Sequence, residues 1–413
     1  MNLLITNIRQ LVNVRETSKP LRGKELAQLP VVENAFLRIE NGLISEYGSM
    51  SSMVNGERLI GEEVYDAKGA MVLPAWCDSH THLVFAASRE GEFVDKLKGL
   101  SYADIAAKGG GILNSANKLN ATPEPVLLEQ AWQRLQELMR LGTGAIEIKS
   151  GYGLTVEGEL KMLRVIKQLK QRSPIPVKAT FLGAHTYPLA YRENHQGYID
   201  LIIREILPVI EKEKLADYID VFCEEGFFSA AETETICRAG MAIGLKPKIH
   251  ANQLHVSGGT QVGVKLGAVS VDHLETMDED AIAALSSSQT IGTLLPTAAF
   301  FLRMPFQPAR TLIDQGCTIA LASDYNPGSS PSGNMNLVVA MSCIQMKMLP
   351  EEAINAATVN GAYAMELGAE LGSITTGKRA NLIFTRPVPS LAYLPYAFGS
   401  NLIDKVMING DFI

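Results

Sequence analysis

From about residue 70 to residue 324 the chain alternates short apolar, β-branched runs with longer stretches in which apolar residues recur at spacings of three and four. The first pattern predicts strands buried on both faces, and the second predicts helices with one buried stripe. The predicted strands are Met71–Asp78, Ala145–Ser150, Val177–Gly183, Tyr218–Cys223, Lys246–Ala251, Val269–His273, Ile291–Pro296 and Thr318–Asp324. Helical patterns such as Pro125–Leu141 and Glu157–Gln171 lie between them, and further helices near Pro350–Met365 follow the last strand. This α/β alternation predicts a TIM (β/α)8 barrel over a doubly wound sheet.

The two ends of the chain have a different texture. Leu3–Ile8, Ala35–Ile39, Leu43–Tyr47 and Val64–Ala67 read as short strands, with the turn signal Glu40-Asn41-Gly42 before the third. Asn381–Phe384 and Lys405–Ile408, followed by Asn409-Gly410, read the same way. Together they predict a small β-sandwich domain assembled from residues 1–70 plus 375–413, flanking a catalytic barrel over residues 71–374.

Composition narrows the partners. With 413 residues, 46% hydrophobic, the chain can bury a large core, and its formal charge of -7 offers no basic footprint for nucleic acid or an anionic membrane. A small-molecule substrate is expected. The five cysteines include no CxxC pair, which argues against a disulfide scaffold. Neither a signal-peptide layout nor a run of about 20 apolar residues is seen, so the expected location is the cytoplasm. A homodimer is compatible with all of this. Lys108-Gly109-Gly110-Gly111-Ile112 reads equally as a plain flexible connection or as a lid over a site.

In a TIM barrel the chemistry sits at the C-terminal ends of the strands. The first predicted strand leads into His80 and His82, whose i, i+2 spacing on a strand puts both on one face. The fifth strand carries His250, the sixth His273 and the eighth Asp324. Five proton-transfer or metal-ligand candidates thus fall on one rim. Three imidazoles and one carboxylate suit a single ion, zinc with iron as the alternative, divalent or trivalent, with water in an open position. A bound metal can bring the pKa of such a water to roughly 7. Asp324 is placed to accept its proton and pass it to a leaving nitrogen, and His273 to orient the water or stabilise the oxyanion.

The layout resembles the amidohydrolase superfamily. Its two-metal members place a lysine at the end of the fourth strand, where this chain has Phe222-Cys223-Glu224-Glu225, so one ion is expected; Lys149 reads as a supporting charge. The resemblance becomes specific in Asp78-Ser79-His80-Thr81-His82-Leu83-Val84-Phe85, Ser88-Arg89-Glu90, Lys149-Ser150-Gly151-Tyr152-Gly153-Leu154, Phe181-Leu182-Gly183-Ala184-His185, Asp272-His273-Leu274-Glu275 and Asp324-Tyr325-Asn326-Pro327-Gly328-Ser329-Ser330-Pro331. These runs, in this order over nearly the whole chain, are similar to the imidazolonepropionase family.

That resemblance implies hydrolysis of 4-imidazolone-5-propionate to N-formimidoyl-L-glutamate in histidine degradation. It implies that His80, His82, His250 and Asp324 hold the metal, and that Arg89, Tyr152, His185, Gln253, Asn326, Gly328 and Ser329 surround the substrate. Arg89 offers a planar bidentate cation suited to the carboxylate tail. Gln253 joins Asp324 and His273 in the catalytic group, but only as a hydrogen-bonding partner, because an amide does not titrate. Related deaminases carry a glutamate at that place, so Gln253 counts against deamination. Asn252, His255 and Thr276 depart from the family pattern and raise the question of a shifted substrate preference. Two other readings stay open: an aminohydrolase acting on a nucleobase or pterin, and a barrel that binds a metal or ligand without turnover.

Overall fold

The computed structural model describes residues 2–53, 61–100 and 110–413. The five strands β1 (Asn2–Val12), β2 (Val31–Glu40), β3 (Leu43–Ser49), β4 (Glu63–Asp66) and β5 (Met71–Pro74) precede the barrel. The barrel strands are β6 (Trp76–Thr81), β7 (Thr143–Lys149), β8 (Val177–Ala184), β9 (Tyr218–Cys223), β10 (Lys246–Ala251), β11 (Ser270–His273), β12 (Ile291–Leu294) and β13 (Ile319–Leu321). Three more strands, β14 (Leu382–Thr385), β15 (Ile403–Ile408) and β16 (Asp411–Phe412), end the chain.

Strands β6 to β13 pair in sequence order, each parallel to the next. The two edges are joined by backbone hydrogen bonds just past the strands: Asp324 N–H donates to the His80 carbonyl and His82 N–H to the Tyr325 carbonyl, both at 2.9 Å. Asp78 reinforces this seam by accepting from Ser323 N–H at 3.0 Å and from its hydroxyl at 2.6 Å. The barrel strands are buried on both faces, and helices cover the outside by the expected stripe. In the helix Glu124–Arg140, for example, Leu127, Ala131, Leu135 and Leu138 are buried. The next helix, Val156–Arg172, starts where the Thr155 hydroxyl accepts from Gly158 N–H.

The terminal strands form a separate sheet in the order β16-β15-β14-β5-β1-β2-β3, with β4 also pairing with β1. An antiparallel bridge between Leu43 and Arg379 folds this sheet back on itself. Inside the fold lies its own core, which includes Leu3, Ile5, Leu37, Val72, Leu382 and Phe384.

One expected strand is corrected. Met71–Asp78 is not continuous: β5 pairs with β1 and β14 in the terminal sheet, whereas β6 begins the barrel. The unbroken apolar run hides the break because both pieces are buried. Its cause is local, since Pro74 has no N–H, Ala75 N–H turns to the Asn381 carbonyl and Trp76 N–H to the Gly142 carbonyl. The terminal sheet therefore reaches Pro74, and a small unit ending at residue 70 is cut four residues short.

Gly361, in the helical run that follows the barrel, lies against β6, and a Cβ there would meet the Cys77 carbonyl oxygen at 2.4 Å. Backbone cannot give way as a side chain can. Gly361→Ala is expected to destabilise the fold by about 1–3 kcal/mol, measured by the denaturation midpoint at unchanged slope; a midpoint equal to the parent would contradict this packing.

Candidate active site

A cavity of about 310 Å3 opens at the C-terminal end of the barrel strands. Lining it are His82, Arg89, Tyr152, His185, His250, Gln253, His273, Asp324, Asn326, Gly328 and Ser329, every expected site residue except His80. His80 is fully buried beside this floor, its ring centroid 4.5 Å from that of His250. The structure thus gathers in one place residues that span the chain from 80 to 329.

His80, His82 and His250 bring ligand-capable atoms within 4.8 Å of one another, and so do His80, His273 and Asp324. Asp324 Oδ1 stands 3.5 Å from Nε2 of both His80 and His82. Donors around a tetrahedral ion with bonds of about 2.0–2.1 Å are separated by roughly 3.4 Å, so this spacing fits. Among the described residues, the buried Nε2 atoms of His80 and His250 have no hydrogen-bond partner. Orphaned buried nitrogens are costly unless something outside the protein chain uses them. Burial, the leading cause, holds His80, His82 and His250 well below the ordinary imidazole range, which leaves them neutral with free lone pairs. This donor set fits a divalent metal ion.

The other ring nitrogens are held from behind. His80 Nδ1 pairs with Asp272 Oδ2 at 2.7 Å and His250 Nδ1 with Asp220 Oδ2 at 3.0 Å. With Nδ1 engaged by a carboxylate, Nε2 is the nitrogen left to bind. Sequence reasoning passed over Asp220 and Asp272, together with Glu147 and Lys248. The signal was available: each is a charged residue inside a run read as fully buried, which requires a charged partner.

Asp324 and His273 both have raised pKa values. Burial, only partly opposed by His273, pushes Asp324 up to about 7 in the absence of a cation beside it. For His273 burial acts downward, but the charge of Glu275 and its hydrogen bond to Nδ1 outweigh it, and the pKa is raised. Glu275 Oε1 also accepts from Gln307 Nε2 at 3.0 Å. The backbone here is unusual, with φ of 86° at His273 and 52° at Asp324, conformations that side-chain-bearing residues rarely adopt and that cluster at functional sites.

Also lining the cavity, Arg89 donates from Nε to Ser115 Oγ at 2.8 Å, while the buried Nη2 has no hydrogen-bond partner among the described residues. Gly328 makes room for this guanidinium, since a Cβ there would lie 2.4 Å from Nη1. Tyr152 sits on a loop gathered by the buried Glu159, which accepts from the N–H groups of Gly151, Gly153 and Leu154. His185 stacks on His82 with ring centroids 5.3 Å apart and pairs through Nδ1 with the Gly151 carbonyl at 3.1 Å. Burial lowers its pKa to about 4, so the ring is neutral. Asn326 lines the cavity, but its amide is engaged: Oδ1 accepts from Gly328 and Ser329 N–H, and Nδ2 donates to the Asp324 carbonyl and Ser329 Oγ.

The departures from the family pattern fall outside the cavity wall. Asn252 is buried and bonds the Thr276 carbonyl and Thr260, whereas His255 is half exposed and pairs with Glu224. Of the suspected lid, Lys108 and Gly109 lie outside the described residues; Gly111 begins the helix Gly111–Ala121 that carries Ser115. No helix among the described residues is long and apolar enough to cross a membrane.

The model of the amidohydrolase family matches residues 228–413. The chain is 58% identical over 414 residues to the imidazolonepropionase of Flavobacterium johnsoniae, with 100% of each chain covered. It is 40% identical over 407 residues to that of Caldanaerobacter subterraneus subsp. tengcongensis, covering 98% of this chain and 96% of the relative. Among solved structures, E. coli guanine deaminase superposes with a TM-score of 0.75 at 14% identity, over 100% of this chain and 99% of that one. An adenosine deaminase from Xanthomonas campestris with bound zinc gives 0.71 at 17% identity, over 99% and 92%. At such identities the structural likeness speaks for the fold alone.

The donor geometry predicts about one tightly held divalent ion per chain. Elemental analysis after dialysis checks it, and His80→Ala is expected to lose most of that metal while keeping a cooperative unfolding transition. Full metal content in the variant would remove His80 from the donor set.

Proposed function

The chain belongs to the imidazolonepropionase family, and from that premise we propose that its cavity binds 4-imidazolone-5-propionate and hydrolyses it to N-formimidoyl-L-glutamate in histidine degradation. The observation that carries this reading is the full-length 58% identity to a relative of that name. Arg89 Nη2, without a hydrogen-bond partner among the described residues, supports it independently, because a buried cationic donor of that kind is suited to an anionic substrate tail.

In this proposal His80, His82, His250 and Asp324 hold one ion, zinc in preference to iron because three imidazoles and a carboxylate are a common zinc donor set. When bound, such an ion lowers the pKa of a water and polarises a carbonyl. The remaining work falls to the chain. Arg89 takes the propionate and so fixes the ring relative to Asp324, a positioning effect that acts on the barrier as well as on binding. Asp324 accepts the proton of the attacking water and delivers it to the ring nitrogen as the endocyclic C–N bond of the amide breaks. Ser329 Oγ, 3.3 Å from Asp324 Oδ2, steadies that carboxylate. His273, with Nδ1 held by Glu275, presents its other nitrogen to the oxygen on which charge develops.

His185, neutral and engaged at Nδ1, offers Nε2 as an acceptor for a ring N–H, and Tyr152 adds a phenolic hydrogen bond. Gln253 hydrogen-bonds without carrying a proton. Gly328 contributes by leaving space for Arg89, and Asn326 by bracing the loop that presents Ser329. We further propose a small unit from residues 1–74 plus 375–413 and a catalytic unit over the barrel residues between them, with the chain crossing between their sheets at Ala75. A cytoplasmic location accords with five cysteines that are all free.

The test is direct. Metal-quantified protein is incubated with 4-imidazolone-5-propionate while loss of the ring chromophore and appearance of N-formimidoyl-L-glutamate are followed; no turnover, together with ammonia release from a nucleobase or pterin, would replace the proposal by an aminohydrolase. Arg89→Ala is expected to lower kcat/KM by about 2–4 kcal/mol, roughly 30- to 1,000-fold, mainly through KM. An unchanged value would remove Arg89 from the propionate site. Asp324→Asn is expected to abolish turnover, and full activity would exclude it as the proton carrier.

A further inference from the structure

Two lysines are fully buried inside the barrel, Lys149 on β7 and Lys248 on β10. Both reach Glu147, Lys149 Nζ donating to Oε1 at 2.7 Å and Lys248 Nζ to Oε2. They differ in what else they touch. Lys149 Nζ donates to Asp220 Oδ2 at 2.7 Å and stands 3.3 Å from Asp272 Oδ2. Those are the same two oxygens that engage His250 Nδ1 and His80 Nδ1. Lys248 instead spends its other donors on the carbonyls of Ser79 and Ala364, each at 3.2 Å.

A carboxylate behind an imidazole sets which nitrogen carries the proton and which way the ring points. Asp220 and Asp272 do this from neighbouring regions of the barrel, and like charges brought so close would repel without a cation between them. We propose that Lys149 is a positioning residue that couples His80 to His250: by holding Asp220 Oδ2 and Asp272 Oδ2 on one ammonium, it aims both imidazoles together and governs how firmly a divalent ion is retained. This rests on the reading of His80 and His250 as metal donors. The competing account is that both lysines merely neutralise buried carboxylates, in which case Lys149 and Lys248 are equivalent.

The two accounts separate in a comparison of zinc-loaded wild type, Lys149→Met and Lys248→Met. Zinc transfer to a chromogenic chelator is timed, and the visible spectrum of the cobalt-loaded forms is recorded. Coupling predicts zinc loss about 10- to 100-fold faster in Lys149→Met, within about threefold of wild type in Lys248→Met, and an altered cobalt spectrum only in the former. Equal acceleration in both variants, or none in Lys149→Met, overturns it. The double variant Glu147→Gln/Lys149→Met removes one buried charge of each sign and serves where the single variant is unstable; wild-type zinc retention in the folded double variant also overturns the coupling. A wild-type protein that takes up no divalent ion refutes the metal reading itself, a distinct result.

Discussion

The site depends on the seam at which the barrel closes. Asp78 and Ser323 lie 245 residues apart, yet the carboxylate of one accepts both the N–H and the hydroxyl of the other. Just beyond, Asp324 N–H meets the His80 carbonyl. These contacts bring the Asp324 carboxylate to 3.5 Å from two imidazoles contributed by the other end of the barrel. Asp324 accepts a left-handed backbone to do so. Such strain persists only where the surroundings over-determine it, and here the parallel ladder on one side and the Asn326 loop bracing on the other supply that constraint.

Around the seam the two halves of the site follow opposite electrostatic rules. The imidazole side is the more fully paired: burial holds His80, His82 and His250 neutral, and the Asp220 and Asp272 carboxylates behind two of them meet Lys149 at 2.7 and 3.3 Å. Burying such ion pairs is not an efficient route to stability, because desolvation offsets most of their attraction. Their value is orientation, since a fully satisfied buried network has one low-energy arrangement. The Arg89 side of the cavity is less fully paired. Arg89 Nε is tied to Ser115, and its Nη2 has no hydrogen-bond partner among the described residues.

Much of this was legible in the sequence because the informative signals are local. Strand and helix periodicities follow from geometry over a few residues, and the rule that barrel chemistry sits at strand ends turned a list of runs into His80, His82, His250, His273 and Asp324. Where a signal was not local, the sequence was silent or misleading. The run from Met71 to Cys77 is uniformly apolar, so it could not show that the chain changes sheets at Ala75. Asn252 and His255 look like substrate determinants beside His250, but a φ of 54° at Asn252 turns the chain, and both side chains engage partners away from the cavity wall.

The sequence by itself determined the order of elements, the α/β alternation, the rim position of the ligand-type residues and the family resemblance, all of which reside in short stretches read independently. Only the tertiary structure decided which charge meets which: Lys149 with Asp220 and Asp272, Glu275 with His273, Gly328 with Arg89. Those pairings depend on the register of parallel strands and on how the barrel closes. They are fixed by the simultaneous packing of elements far apart in the chain, so no window of sequence contains them.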